Sequence, residues 1–263
     1  MQIIKVGLIN GNGKTKGCES SPNSILNSLK EIESNEKGDI ISYNSLNLEE
    51  IHVNPLNLEE SDYLIYENSK EIFERNFFSV FLGGDHSISF PLLKAFNKIE
   101  KNPLLIVFDA HMDCHESGKI PNNSSWLRRL IESGFLCSNI ILISTRSITS
   151  SEIEFLNENK ILLIKMDAIR EDIESVCDAI MERAREASGF YISIDIDCID
   201  PGFAPGTGSL EPGGLSSRDL IYFIKRLKLL KNLKGCDIVE INPLLDNHEM
   251  TVKLGAKILS EIV

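Results

Sequence analysis

A chain of 263 residues, 42% hydrophobic and 25% charged, has an ordinary globular composition, long enough for one large domain or two small ones. Its net charge of −12 argues against nucleic acid, which rewards basic surfaces, and suits a cationic substrate, because an acidic cleft concentrates cations. No apolar run approaches the roughly 20 residues that span a bilayer, the N-terminus lacks the pattern of a signal peptide, and the six cysteines form no CxxC pair; a cytoplasmic protein with reduced thiols and no membrane partner is expected.

The first predicted strand is Ile3–Asn10. The loop behind it ends in Gly13-Lys14-Thr15, like a phosphate-binding loop, but that motif needs a glycine five positions before Gly13, and Leu8 stands there. A solvated loop is the better reading. Helical patterns follow over Ser24–Glu33 and Ser61–Arg75, with a strand at Asp39–Tyr43 between them. The strand Ser79–Leu82 then runs into Gly83-Gly84-Asp85-His86-Ser87. Two glycines suit a tight turn, Asp85 can cap the next helix, Ser87–Asn97, and His86 sits at its start, as a hydrogen-bonding imidazole or as a ligand.

The strand Leu104–Phe108 leads directly into Asp109, His111 and Asp113, which share one face if the chain stays extended. Helix Trp126–Ser133, strand Ile140–Ser144, helix Ser150–Asn157, strand Ile161–Ile164 and helix Ile169–Ala187 follow. The strand Tyr191–Asp197 places Ile192, Ile194 and Ile196 on one face, and Ser193, Asp195 and Asp197 on the other. Asp200, before Pro201, suits a turn. Helix Ser217–Leu229, strand Asp237–Ile241 and helix His248–Ser260 close the chain. Strands alternating with helices imply βαβ units and a parallel sheet covered on both faces, read here as one domain over residues 1–263. In such sheets ligands bind beyond the carboxyl ends of the strands.

Three strand ends therefore offer two imidazoles and four carboxylates: His86, Asp109, His111, Asp113, Asp195 and Asp197. Carboxylates on a buried strand repel one another and are costly to desolvate, so a cation should sit among them. Mainly oxygen ligands with two imidazoles fit two divalent ions, manganese before magnesium. Two such ions can lower the pKa of a shared water and deliver hydroxide to an electrophile.

The runs Gly-Gly-Asp-His-Ser, Asp-Ala-His-Met-Asp and Ser-Ile-Asp-Ile-Asp-Cys-Ile-Asp-Pro-Gly-Phe-Ala-Pro-Gly-Thr-Gly resemble the three signatures of the ureohydrolase family of arginases and agmatinases. Gly17, Pro22 and the segment Asp237–Pro243 extend the likeness along almost the whole chain, and residues 205–216 look closer to agmatinases. The resemblance implies a three-layer α/β/α fold with an eight-stranded, mainly parallel sheet, two Mn2+ per chain, and a trimer or hexamer. It implies that Asp109 and Asp195 bridge the metals, that His86 and Asp113 complete one ion and His111 and Asp197 the other, and that Asp113 accepts a hydrogen bond from the attacking hydroxide. Glu240 would pair with the guanidinium of a small cationic substrate, agmatine foremost, with Ser209 assisting, to give urea and an amine.

One departure bears on the chemistry. Where the family carries a histidine that passes a proton to the departing amine, the segment before Arg128-Arg129 places Asn123. Asparagine is neither acid nor base near neutral pH. His115, two residues after Asp113, is the candidate substitute; otherwise the chain keeps its metals with weakened catalysis. Arginase, guanidinobutyrase and formiminoglutamase activities stand as alternatives to agmatine hydrolysis.

Overall fold

Apolar runs separated by amphipathic segments pair in parallel, as the alternation predicts. The computed structural model describes residues 1–11, 13–116 and 120–263. Its strands are β1 Gln2–Val6, β2 Leu48–Glu50, β3 Ser79–Gly83, β4 Pro103–Phe108, β5 Ile140–Ile143, β6 Leu162–Ile164, β7 Gly189–Asp195 and β8 Leu233–Val239. They form one sheet in the order β2-β1-β3-β8-β7-β4-β5-β6, and every neighbouring pair is parallel.

The two-residue period of the strands sends alternate side chains into two separate cores. Ile3, Val80, Ile106, Ile192 and Ile238 pack on one face; Ile4, Phe81, Leu105, Tyr191 and Val239 pack on the other. Helices α1 Ser21–Leu29, α6 Met166–Glu171, α7 Ile173–Glu186, α8 Ser217–Leu227 and α9 Met250–Ile262 cover the first face through residues such as Ile25, Ile169, Ile180, Phe223 and Ile258. Helices α2 Leu58–Glu74, α3 Ser89–Ile99, α4 Trp126–Glu132 and α5 Ser150–Asn159 cover the second, through Ile72, Leu92, Leu127 and Phe155. This is the expected three-layer arrangement.

Two expectations change. The edge strand is Leu48–Glu50, not Asp39–Tyr43; it pairs with β1 along one side only, and all three of its residues are exposed. Residues 39–41 contribute only an antiparallel bridge, Ser34 with Ile40. The long helix expected over Ile169–Ala187 is two helices, because Asp172 leaves helical geometry (φ −157°) and its carboxylate accepts from the Ser175 N–H, capping α7. No described helix is long and apolar enough to cross a membrane. The six cysteines are free thiols, five of them buried.

β3, β8, β7 and β4 are neighbours in the sheet, so their carboxyl ends lie side by side. His86, Glu240, Asp195 and Asp109 stand at or just beyond those four ends. The sheet order thus gathers residues that are up to 154 positions apart in sequence.

Candidate metal centre

The segment after β3 is held against the loop after β1. The Gly84 N–H donates to Val6 O at 3.0 Å and the Asp85 N–H to Leu8 O at 3.1 Å. A Cβ on Gly84 would lie 2.0 Å from the Leu8 carbonyl oxygen, so this glycine serves close approach rather than the tight turn expected of it. Asp85 caps the turn before α3 as predicted, its Oδ1 accepting from the Ser87 N–H at 3.1 Å and hydroxyl at 2.5 Å. Its Oδ2 accepts from the Asn10 and Gly11 N–H groups at 2.6 and 2.7 Å and from the Thr15 hydroxyl at 3.0 Å. The loop that looks like a phosphate cradle therefore wraps a carboxylate of its own chain.

Asp85 fixes the backbone from which His86 projects. The His86 ring is fully buried, and its Nδ1 lies 3.1 Å from Asp109 Oδ2, 3.2 Å from Asp113 Oδ2 and 3.1 Å from Asp195 Oδ2. Nδ1 and Asp109 Oδ2 are nonetheless buried without a hydrogen bond. One proton on Nδ1 can serve only one of three carboxylates, whereas a divalent cation among them satisfies all four ligands at once. The other nitrogen, Nε2, lies 2.9 Å from Ser193 Oγ, whose hydroxyl donates to Asp237 Oδ1 at 2.7 Å. That relay favours the proton on Nε2 and leaves the Nδ1 lone pair for a metal.

Asp109 also faces a second set. His111 Nδ1 is 2.9 Å from Asp197 Oδ2 and 3.6 Å from Asp109 Oδ1. Two ligand groups result: His86, Asp109 and Asp195; and Asp109, His111 and Asp197. Asp109 belongs to both, and Asp195 joins the His86 set, with Asp113 beside it. Asp109, His111 and Asp113 do not share a face, however. The chain leaves extended geometry, Asp113 adopts a left-handed φ of 52°, and its carboxylate turns to His86 while His111 turns to Asp197. Asp195 and Asp197 likewise part company: the strand ends at Asp195, and a tight turn over Ile196–Cys198 lets Asp195 Oδ1 accept from the Asp197 N–H at 2.8 Å.

The electrostatics describe a centre short of positive charge. Burial, then the Asp197 and Asp109 carboxylates, push the Asp195 carboxyl well up. Burial and Asp109 push Asp113 up to about 7, and the same two causes raise Asp197. Burial alone would lower the His86 imidazole, yet Asp109, Asp113 and Asp195 hold it well above its ordinary value. Asp109, with His111 and His86 against it, moves down despite burial. The donor set and its unpartnered atoms fit divalent cations.

His111, Asp113, Asp195 and Asp197 line a cleft of about 300 Å³. Glu240, left-handed at φ 62°, closes one side; its Oε1 accepts from the His86 N–H at 2.9 Å and from Asn123 Nδ2 at 3.2 Å. Asn123 does reach the cleft, as the count back from the arginines implies. Ser209 lines it, and so does His115, whose Nε2 is 3.7 Å from Glu152 Oε2. Asp200 turns the chain as expected, accepting from the Gly202 and Gly213 N–H groups at 2.9 and 2.8 Å.

Several contributors escaped the sequence reading. Trp126, fully buried, donates its Nε1–H to Asp113 Oδ2 at 2.8 Å, and its ring lies over His86 at 4.5 Å between centroids. Arg146 donates to the carbonyls of Asp197 at 2.8 Å and Glu211 at 2.5 Å, tying the second ligand set to the loop beyond it. Lys14 and Glu152 line the cleft. These contacts join distant segments and leave no local pattern.

The sequence and the fold have counterparts among known proteins. A mitochondrial arginase of Oryza sativa subsp. indica is 35% identical over 189 residues, 69% of this chain and 53% of that protein, so the match spans about half the length of this plant relative. An agmatinase of Bacillus subtilis (strain 168) is 31% identical over 203 residues, 76% of this chain and 68% of that protein. The crystal structure of formimidoylglutamase from Bacillus subtilis subsp. subtilis str. 168 superposes with a TM-score of 0.90 at 26% identity, covering 99% of this chain and 85% of that one. The Arginase family model matches residues 1–263 throughout, strand ends and carboxylate clusters included, and the chain belongs to the arginase family.

Proposed function

We propose that this protein hydrolyses the carbon–nitrogen bond of a linear guanidino compound, releasing urea and an amine, in a cleft that holds two divalent ions, manganese by ligand preference. One observation carries the reading: His86 Nδ1 and Asp109 Oδ2 are buried without hydrogen bonds amid three carboxylates, the arrangement a cation completes. His86, Asp109, Asp113 and Asp195 would hold one ion, and His111, Asp109 and Asp197 the other. A metal pair supplies Lewis acidity and a nucleophilic water at neutral pH.

The chain's own groups account for the remainder. Glu240 accepts two hydrogen bonds through Oε1, which orient its carboxylate beside the ligand set as a partner for a planar cation. Ser209, also in the cleft wall, is a further donor or acceptor for the same head group. Water oxygen adds to the guanidinium carbon, the bond to the alkyl nitrogen breaks, and that nitrogen takes up a proton as it leaves. Asn123 stands beside Glu240 and supplies no proton. His115, which lines the cleft apart from both ligand sets, would be the donor for that step.

The test is urea release from agmatine, arginine and 4-guanidinobutyrate by manganese-reconstituted protein, with a chelated sample and Asp197→Ala as controls. Urea from one of them, abolished by both controls, establishes the reaction. Two bound metals without urea from any would overturn it and favour the second reading, a metal-binding relative with weakened catalysis, which the Asn123–Glu240 contact supports.

A further inference from the structure

The cleft lining joins the carboxylates of Asp113, Glu152, Asp195, Asp197 and Glu240 with the ammonium of Lys14. Lys14 is the only lysine or arginine among the described residues lining the cleft, and its side chain forms no hydrogen bond or ion pair with another described residue. Its backbone is fastened on two sides. The neighbouring Thr15 hydroxyl donates to Asp85, and the Lys14 carbonyl lies so close to Gly208 that a Cβ there would stand 2.6 Å from it. These contacts hold the Lys14 backbone against the segment that carries Ser209.

Glu152 also lines the cleft, but its carboxylate is almost wholly buried and accepts from the Cys114 N–H at 3.1 Å, the Thr149 N–H at 3.0 Å and the Thr149 hydroxyl at 2.8 Å. Both of its oxygens are already engaged by donors of its own chain. An unpaired ammonium on the path of a cationic molecule repels it, and an acidic floor does not require one.

We propose that Lys14 receives an anionic group at the far end of the substrate, so that the substrate class is a guanidino acid, cationic at the head and carboxylate at the tail, rather than a guanidino amine. The proposal rests on the hydrolase reading given above and narrows it; agmatine, with an ammonium tail, then becomes the poorer substrate.

The test compares 4-guanidinobutyrate with agmatine, matched in head group and differing in tail charge, in wild type, Lys14→Ala, Lys14→Glu and Lys16→Ala. Lys16→Ala removes a charge from the same loop outside the cleft lining. The acid is expected to be the better wild-type substrate. Lys14→Ala should lower kcat/KM for it on the order of fivefold, through KM with kcat kept, as for a partly exposed ion pair. Lys14→Glu should lower it further and improve agmatine, and Lys16→Ala should change neither. Calorimetric binding of both compounds to the manganese-loaded protein gives a readout independent of turnover. Urea from both compounds with a ratio indifferent to Lys14, or a wild-type preference for agmatine, overturns the tail assignment and leaves the hydrolase reading standing. Acid binding weakened by Lys14→Glu, with no urea from either, supports the tail assignment and overturns the hydrolase reading.

Discussion

Trp126 Nε1 donates to Asp113 Oδ2 at 2.8 Å while the same indole lies over the His86 ring, so one side chain positions two of the candidate ligands. A hydrogen bond behind a metal-ligating carboxylate fixes its orientation, and losing one typically costs about tenfold or more in metal affinity. Trp126→Phe keeps a ring over His86 and removes the donor. Manganese titration calorimetry should show one of two ions bound about tenfold more weakly and the other unchanged. Thermal unfolding should report a loss of about 1–3 kcal/mol from the smaller ring. Unchanged affinity for both ions would reduce the indole to packing.

Asp109 is the one residue present in both ligand sets, which gives metal removal a distinctive pattern. His111→Ala should leave one ion per chain after gel filtration, as should Asp197→Ala, because the His86 set is intact in each. Asp109→Ala should lose both. Metal content by inductively coupled plasma mass spectrometry is the check. A variant of Asp109 that retains one ion as tightly as His111→Ala would show that the two sets are independent.

If His115 protonates the departing nitrogen, its replacement should depress kcat more than KM. General acid catalysis contributes on the order of a hundredfold or more, and His115→Asn should remove it. A substrate whose leaving nitrogen is already a good leaving group should be nearly indifferent. An unaltered kcat in His115→Asn would assign the proton to water.

The site was legible where its residues sit in contiguous strand-end motifs. His86, Asp109, His111, Asp113, Asp195 and Asp197 each stand within a few residues of an apolar strand, and the two-residue period marks them. What stayed hidden depends on pairs far apart in the chain. Asp85 reads as a helix cap, yet its other oxygen holds Asn10, Gly11 and Thr15, 70 or more positions away. Asp113 follows two ligands at even spacing, and only the left-handed backbone at that residue sends it elsewhere. The edge strand was misplaced for a related reason. Leu48–Glu50 buries neither face and so carries no apolar alternation, whereas Ile40 and Ile41 mimic a strand without finding a parallel partner. The break at Asp172 was visible in principle, since Asp-x-x-Ser is a capping pattern.

The segment that mimicked that strand is fastened instead by charge, which makes its stability depend on pH. Glu36 Oε1 accepts from Arg218 Nη1 at 2.8 Å and Oε2 from Lys225 Nζ at 2.9 Å, while the Glu36 N–H donates to Glu261 Oε1 at 2.8 Å. The Lys225 hydrogen bond, with Arg218 behind it, lowers the Glu36 carboxyl below its ordinary value against a modest opposing effect of burial. A carboxyl lowered by folding stabilises the protein above its unfolded value, and that contribution is lost as pH falls through the folded value. Glu36→Gln should therefore cost about 0.5–1 kcal/mol at pH 7, a cost set by partly exposed pairs. The difference should shrink as pH falls below the ordinary glutamate range, until wild type and variant unfold together. Urea denaturation at a series of pH values measures it, and 1 M salt should shrink the neutral-pH difference as well. A difference that persists undiminished under acid would mean that the glutamate acts through shape rather than charge.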